Sequence, residues 1–266
     1  MNVIRQPAVA GSFYPGAARA LGDAVASLLA VEPGYEGPPP KALIVPHAGY
    51  IYSGPTAAAG YARLRPFRER YRRVVLLGPC HRVPVRGLAA SGAAAFRTPL
   101  GDVPVDIGAL AALGLPTVEA AHRDEHSLEV HLPFLQTVLA SFTLVPLVVG
   151  DASDAEVADV LEQLWDGPET LIVVSSDLSH YLAYAAACVR DARTCDAIKA
   201  FAADRIDHGD ACGATPVRGL LFAARRHGLQ VTTVDLRNSG DTAGDRQQVV
   251  GYGAWSFTEQ AGVGRD

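Results

Sequence analysis

Four short apolar runs, each stopped by a turn or a polar cluster, limit this chain more than any other feature. They are residues 42–45 (ALIV), 73–77 (RVVLL), 142–149 (FTLVPLVV) and 171–174 (LIVV). Unbroken apolar runs rich in Val and Ile are what strands covered on both faces require. Helical patterning fills the intervals at 17–30, 56–64, 106–113, 155–164, 182–203 and 216–227, the last opened by Pro216, which suits a first helical turn. Ser127 is placed to cap a further helix to about Ala140, with Pro133 either kinking it or moving its start later. Residues 231–235 and 249–257 read as closing strands, and 88–90 and 103–105 as short ones. Strands alternating with helices predict an α/β fold with a largely parallel central sheet flanked by helices. No composition shift marks a boundary, so 1–266 is read as a single domain.

Composition narrows the function classes. Apolar residues make up 49% of the chain, enough for a full core, and no run reaches the ~20 apolar residues of a membrane span. A formal charge of −5 with 19% charged residues leaves no basic footprint for nucleic acid. The Arg-rich stretch 63–73 (RLRPFRERYRR) is the exception, and is read as a solvated helix end or loop before a strand. The start, MNVIRQPAVAGSFYPG, has no basic segment followed by a long apolar one, so no secretory signal is expected. Cys80, Cys188, Cys195 and Cys212 show no CxxC or framework spacing, which fits a reduced, cytoplasmic setting.

Chemistry concentrates where the apolar runs end. His47, His81 and His180 each follow a run within six residues. In a parallel sheet, ligands bind beyond the carboxyl ends of the strands, so these imidazoles would meet at one rim. Any one of them could be a hydrogen-bonded structural histidine, but three at equivalent places suit a late first-row metal. A second cluster is His122-Arg123-Asp124-Glu125-His126, continuing to Glu129 and His131. It fits H-x-x-E-H literally, which would make a hydrolytic zinc enzyme with His122 as a ligand. That motif needs a well-formed helix, and this segment is densely charged and precedes one. A loop delivering Glu125 and His126 to the rim, with His131 on the next helix, is the better reading.

Cys212, in ACGATP, precedes a glycine and a proline-started helix, where amide dipoles would lower its pKa. Cys80, beside His81, is a competing thiol, and Cys188 and Cys195 are assigned to packing inside the Ala-rich helix. Asp177 is close enough to His180 to orient it. There is no G-x-S-x-G elbow, P-loop or G-x-G-x-x-G.

The motifs VPHAGYIYSG, LLGPCHRVP, DEHSLEVHLPF, VVSSDLSHY and CGATPV, in this order, resemble the Memo family, whose bacterial and archaeal members are called AmmeMemoRadiSam system protein B. The resemblance runs from AGSFYPG to the closing GYGAWSF. It implies a fold similar to class III extradiol dioxygenases, which are non-haem Fe(II) enzymes. It implies metal ligation by His47, His81 and Cys212, with His180 in the place of the dioxygenase base. Asp177, Glu125 and His126 belong to motifs lining the same pocket. The dioxygenases use two histidines and a carboxylate; a thiolate in the third place would admit Cu(I) or Zn(II) beside Fe(II).

The expected function is therefore that of a metal-dependent redox enzyme acting on an unidentified small molecule. In an AmmeMemoRadiSam setting its partners would be an Amme-type protein and a radical-SAM enzyme. The alternative is a non-catalytic ligand or peptide module using a vestigial pocket. Phosphopeptide recognition of that kind would call for an Arg cluster beside the pocket, and none is evident.

Overall fold

The apolar runs become strands whose side chains are almost wholly enclosed, and the polar residues that stop them gather at one edge. The computed structural model describes residues 3–259. In chain order the strands are β1 (Ile4–Arg5), β2 (Pro40–Val45), β3 (Arg73–Pro79), β4 (Leu88–Ala90), β5 (Ala95–Thr98), β6 (Gly101–Pro104), β7 (Thr143–Val149), β8 (Thr170–Ser175), β9 (His180–Leu182), β10 (Gln230–Asn238) and β11 (Val249–Thr258). The helices are α1 (Ala18–Ala30), α2 (Tyr50–Ala62), α3 (Ile107–Leu113), α4 (Glu119–Arg123), α5 (Leu132–Val138), α6 (Asp154–Gln163), α7 (Tyr184–Lys199) and α8 (Ala214–Arg226).

The main sheet runs β10-β11-β2-β8-β3-β7-β4, with β9 paired to β11. Its centre, β2-β8-β3-β7, is parallel, as the unbroken apolar runs require. Antiparallel strands extend it on both sides, β4 beyond β7 and the β10–β11 hairpin beyond β2, so the sheet is mixed around a parallel core. Helices α1, α2 and α5 pack together, with α2 against β2, β10 and β11; α6 and α8 pack together, with α8 against β3 and β8. Among the described residues no helix is long and apolar enough to cross a membrane.

Two local departures from the sequence reading, at the start of α2 and at Ser127, bear on the site, as does an N-terminal strand that it did not predict. Helix α2 begins at Tyr50, not 56, so the loop after His47 is only a few residues long. Ser127 caps nothing: its hydroxyl donates to the Pro79 carbonyl (2.8 Å), and Pro133 starts α5 late, after a 3₁₀ turn at Glu129–His131. The N-terminal segment joins a small sheet, β1-β5-β6, through β1 parallel to β5. The Arg-rich stretch is a 3₁₀ turn and loop whose Arg68 and Arg72 face Glu69, while Arg73 pairs with Asp106 and Asp166.

Strand order explains why the site forms where it does. β8 lies between β2 and β3, so the segments leaving β2, β3 and β8 emerge side by side. His47, His81 and Asp177 are on those three segments. Two glycines permit the close packing there. A Cβ on Gly78 would lie 2.8 Å from Ser127 Oγ, and one on Gly213 would lie 2.6 Å from the Ser175 carbonyl.

Candidate metal centre

His47 follows Pro46 at the end of β2 and is buried. Its backbone N–H donates to Asp177 Oδ1 (2.8 Å), which fixes the main chain just past the strand. Its ring Nδ1 lies 2.6 Å from Ser175 Oγ, and the Ser175 hydroxyl donates to the Ser127 carbonyl (2.6 Å). A hydroxyl carries one proton, and a carbonyl only accepts. Ser175 must therefore accept from His47 Nδ1–H, which leaves the lone pair on Nε2. Burial, then the imidazoles of His126 and His81, push the His47 pKa well below the ordinary histidine value, so the ring is neutral at pH 7.

His81 is oriented in a parallel way. Its Nδ1 is 2.9 Å from Glu125 Oε1, and its backbone N–H donates to Glu125 Oε2 (2.6 Å). Glu125 also accepts from the backbone amides of His126 and Ser127, both at 2.9 Å. Burial works against the Glu125 charge, but the His81 ring and these amides hold its carboxyl down to about 2. An ionised carboxylate only accepts, so His81 donates to it through Nδ1, which leaves Nε2 as the ring nitrogen turned away from Glu125.

His126, delivered by the loop after α4, completes the group. Its ring stacks on His81 (centroids 4.8 Å, 17° between planes) and meets His47 edge-on at 5.4 Å. One nitrogen from each of His47, His81 and His126 lies within 4.8 Å of the others, the one such grouping of three among the described residues. His126 Nδ1 is buried and makes no hydrogen bond, although Glu125 Oε1 is 3.3 Å away. Burial also lowers the His126 pKa. Two imidazoles held by their Nδ1 atoms and a third with an unpaired buried nitrogen fit a first-row metal ion.

The remaining candidate residues surround this group. Cys212 Sγ is 3.4 Å from His47 Nε2, outside the three-histidine cluster. Because that nitrogen carries the lone pair, the thiol donates to it. The expected low thiol pKa is not found: burial, then the Asp177 carboxylate, push Cys212 up to about 12. The Asp177 N–H donates to Cys212 Sγ (3.3 Å) and the Cys212 N–H donates to the Asp177 carbonyl (3.2 Å), clasping the two loops together. Burial raises the Asp177 pKa. His180, on β9, is exposed and outside the cluster; it lines a cleft of about 630 Å³ together with His126 and Asp177. A second cleft of about 400 Å³ reaches His81 and Cys212 from elsewhere, past Cys80 and His208.

Other residues singled out in the sequence lie apart. His122 is buried, with Nε2–H donating to the Ala89 carbonyl (3.1 Å). His131 is buried beside Tyr61. Cys195 packs against Thr233, whereas Cys188 is exposed on α7. Glu129 is fully buried and anchors the N-terminal segment: it pairs with Arg5 and accepts from the amides of Ala8 and Val9 and from the Tyr14 hydroxyl. Arg5 also donates to the carbonyls of His122 (3.0 Å) and Glu125 (2.6 Å), so it holds the loop that presents His126. The same segment brings Phe13 to 4.9 Å from the His126 ring. Arg5 and Ser175 carry no sequence signal of their own, since each acts through a partner distant in the chain.

Fold and site together define an α/β protein with a histidine cluster at the carboxyl edge of a parallel sheet core. Comparison with known proteins places it more closely. The Memo-like protein family matches residues 5–256. A MEMO1 family protein of Aquifex aeolicus is 38% identical over 270 residues, covering 94% of this chain and 97% of the relative. Those of Nitrosopumilus maritimus (31%, covering 96% and 100%) and Methanococcoides burtonii (37%, covering 94% and 98%) are similar along their length as well. This chain belongs to the Memo family.

Proposed function

We propose that this protein is a metal-dependent redox enzyme that holds Fe(II), with copper or zinc as alternatives, on His47, His81 and His126. The observation that carries this reading is the grouping itself: one nitrogen from each of His47, His81 and His126 lies within 4.8 Å of the others, while Ser175 and Glu125 hold the His47 and His81 rings by their Nδ1 atoms. Outer partners of this kind orient metal-binding histidines and raise their basicity. An iron ion held by few protein ligands supplies one-electron chemistry toward dioxygen and substrate. The chain's own residues do the rest. Asp177 fixes the His47 backbone, Cys212 offers sulfur beside His47 Nε2, and His180 stands on the cleft wall to accept a proton from a bound hydroxyl group.

The test is dioxygen uptake by protein loaded anaerobically with Fe(II) and offered a panel of catechols. Uptake should require iron, vanish in His81→Ala and fall about 100-fold in His180→Ala, the scale of a lost general base. Equal uptake by wild type and His81→Ala, or none from an iron-loaded wild type, contradicts the proposal.

A further inference from the structure

The cleft beside the histidine cluster has a marked charge and shape inventory. Its floor is His126 and the buried Asp177, and its outer lip carries the exposed Tyr181, Tyr52, Ile51 and Asp245. Among the described residues lining it there is neither lysine nor arginine. The nearest candidates for a cation are engaged elsewhere or lie outside: Arg246 stacks on Tyr184 at 4.3 Å and faces Asp241, and Arg82 beside His81 is not part of the lining. Phosphate and carboxylate sites are built from such donors, above all Arg.

Aromatic rings replace them. Phe13 and Tyr252 flank the interior, and Tyr181 stands 70% exposed at the lip. Tyr181 has φ 58°, in the left-handed region that a bulky side chain rarely adopts. Residues held in such conformations cluster at ligand clamps. The strained backbone turns a large ring toward solvent at the cleft mouth, where a core-packing role does not explain it. Asp245, on the same lip, is exposed and uses Oδ1 to accept the amide of Gln247 (2.7 Å).

We infer that this cleft selects an arylalkylamine: a flat ring held between Phe13, Tyr52 and Tyr181, a polar head toward His126 and Asp177, and a cationic ammonium group out at Asp245. Cations are drawn both to aromatic faces and to a carboxylate, and an anion meets neither lysine nor arginine in this lining. The inference rests on reading the cleft as the ligand entrance to the histidine cluster. It deepens the proposed function by giving that site a ligand class.

Tyramine, 4-ethylphenol and phenyl phosphate are matched probes, titrated by calorimetry into the full chain, chelator-stripped and then iron-loaded. Tyramine should bind about fivefold more tightly than 4-ethylphenol, the scale of one exposed charge pair, with phenyl phosphate weakest. Asp245→Asn keeps the oxygen that accepts the Gln247 amide and should remove the advantage of tyramine. Tyr181→Gly, which suits the positive φ, should weaken both phenols together. Tighter binding of phenyl phosphate, no binding of tyramine at millimolar concentration, or an advantage that survives Asp245→Asn overturns the inference. Iron content measured on the same samples separates the two readings: the expected ranking in a protein that takes up no metal sinks the redox proposal alone.

Discussion

The Ser175 hydroxyl accepts from His47 Nδ1 and donates to the Ser127 carbonyl, so one side chain ties β8, the 125–127 loop and the His47 ring into a single arrangement. The direction of both hydrogen bonds follows from proton count, and it decides which His47 nitrogen carries the lone pair. A strand-terminal serine thus does for His47 what Glu125 does for His81.

Ser175→Ala removes that constraint while leaving the apolar run of β8 intact. Metal affinity should fall about 10- to 100-fold, the usual cost of losing an outer partner of a ligating histidine. Competition titration against a chromophoric chelator reads the change. Unaltered affinity would mean that the His47 tautomer is set by something other than Ser175.

Breaking the Arg5–Glu129 pair should be costly, because both side chains are buried and the survivor keeps an uncompensated charge. Arg5→Met is expected to destabilise by roughly 3–5 kcal/mol in chemical denaturation, and adding Glu129→Gln should recover part of it. Arg5→Met should also weaken metal binding, since Arg5 holds the carbonyls of His122 and Glu125. A loss of stability with metal affinity intact would confine Arg5 to a structural role.

Acid stability has a predictable limb. Burial lowers the His122 pKa to about 4, against about 6.5 in the unfolded chain. Between these values the unfolded chain binds the proton and the folded one does not. His122 therefore contributes stability that is complete above pH 6.5 and is lost as pH falls toward 4, on the order of 3 kcal/mol. His122→Gln should make the stability curve shallower in that window. An unchanged slope in urea titrations from pH 7 to 4 would show that His122 titrates normally.

The sequence makes part of this site legible and hides part for physical reasons. His47 and His81 are visible because a buried parallel strand must end somewhere, and its carboxyl end is where ligands gather. Glu125 and His126 are visible as a charged loop ahead of a helix. That His126, and not His180, joins the cluster depends on where the chain turns: after Asp177 it enters β9 and pairs with β11, which leaves His180 exposed on the cleft wall. Cys212 shows a similar limit. Its place before a proline-started helix suggests a reactive thiolate, yet burial and the Asp177 carboxylate push the pKa the other way. Arg5 meets Glu129 across 124 positions of chain, a pairing no local pattern announces.

The most direct test is metal content by mass spectrometry on protein purified without oxygen or chelator, wild type beside His81→Ala and His126→Ala. About one iron or copper per chain in the wild type, lost in both variants, is the predicted result for a single shared site. A wild type that stays metal-free after anaerobic reconstitution with Fe(II), Cu(I) and Zn(II), or a His126→Ala variant that keeps its metal, would contradict the three-histidine centre.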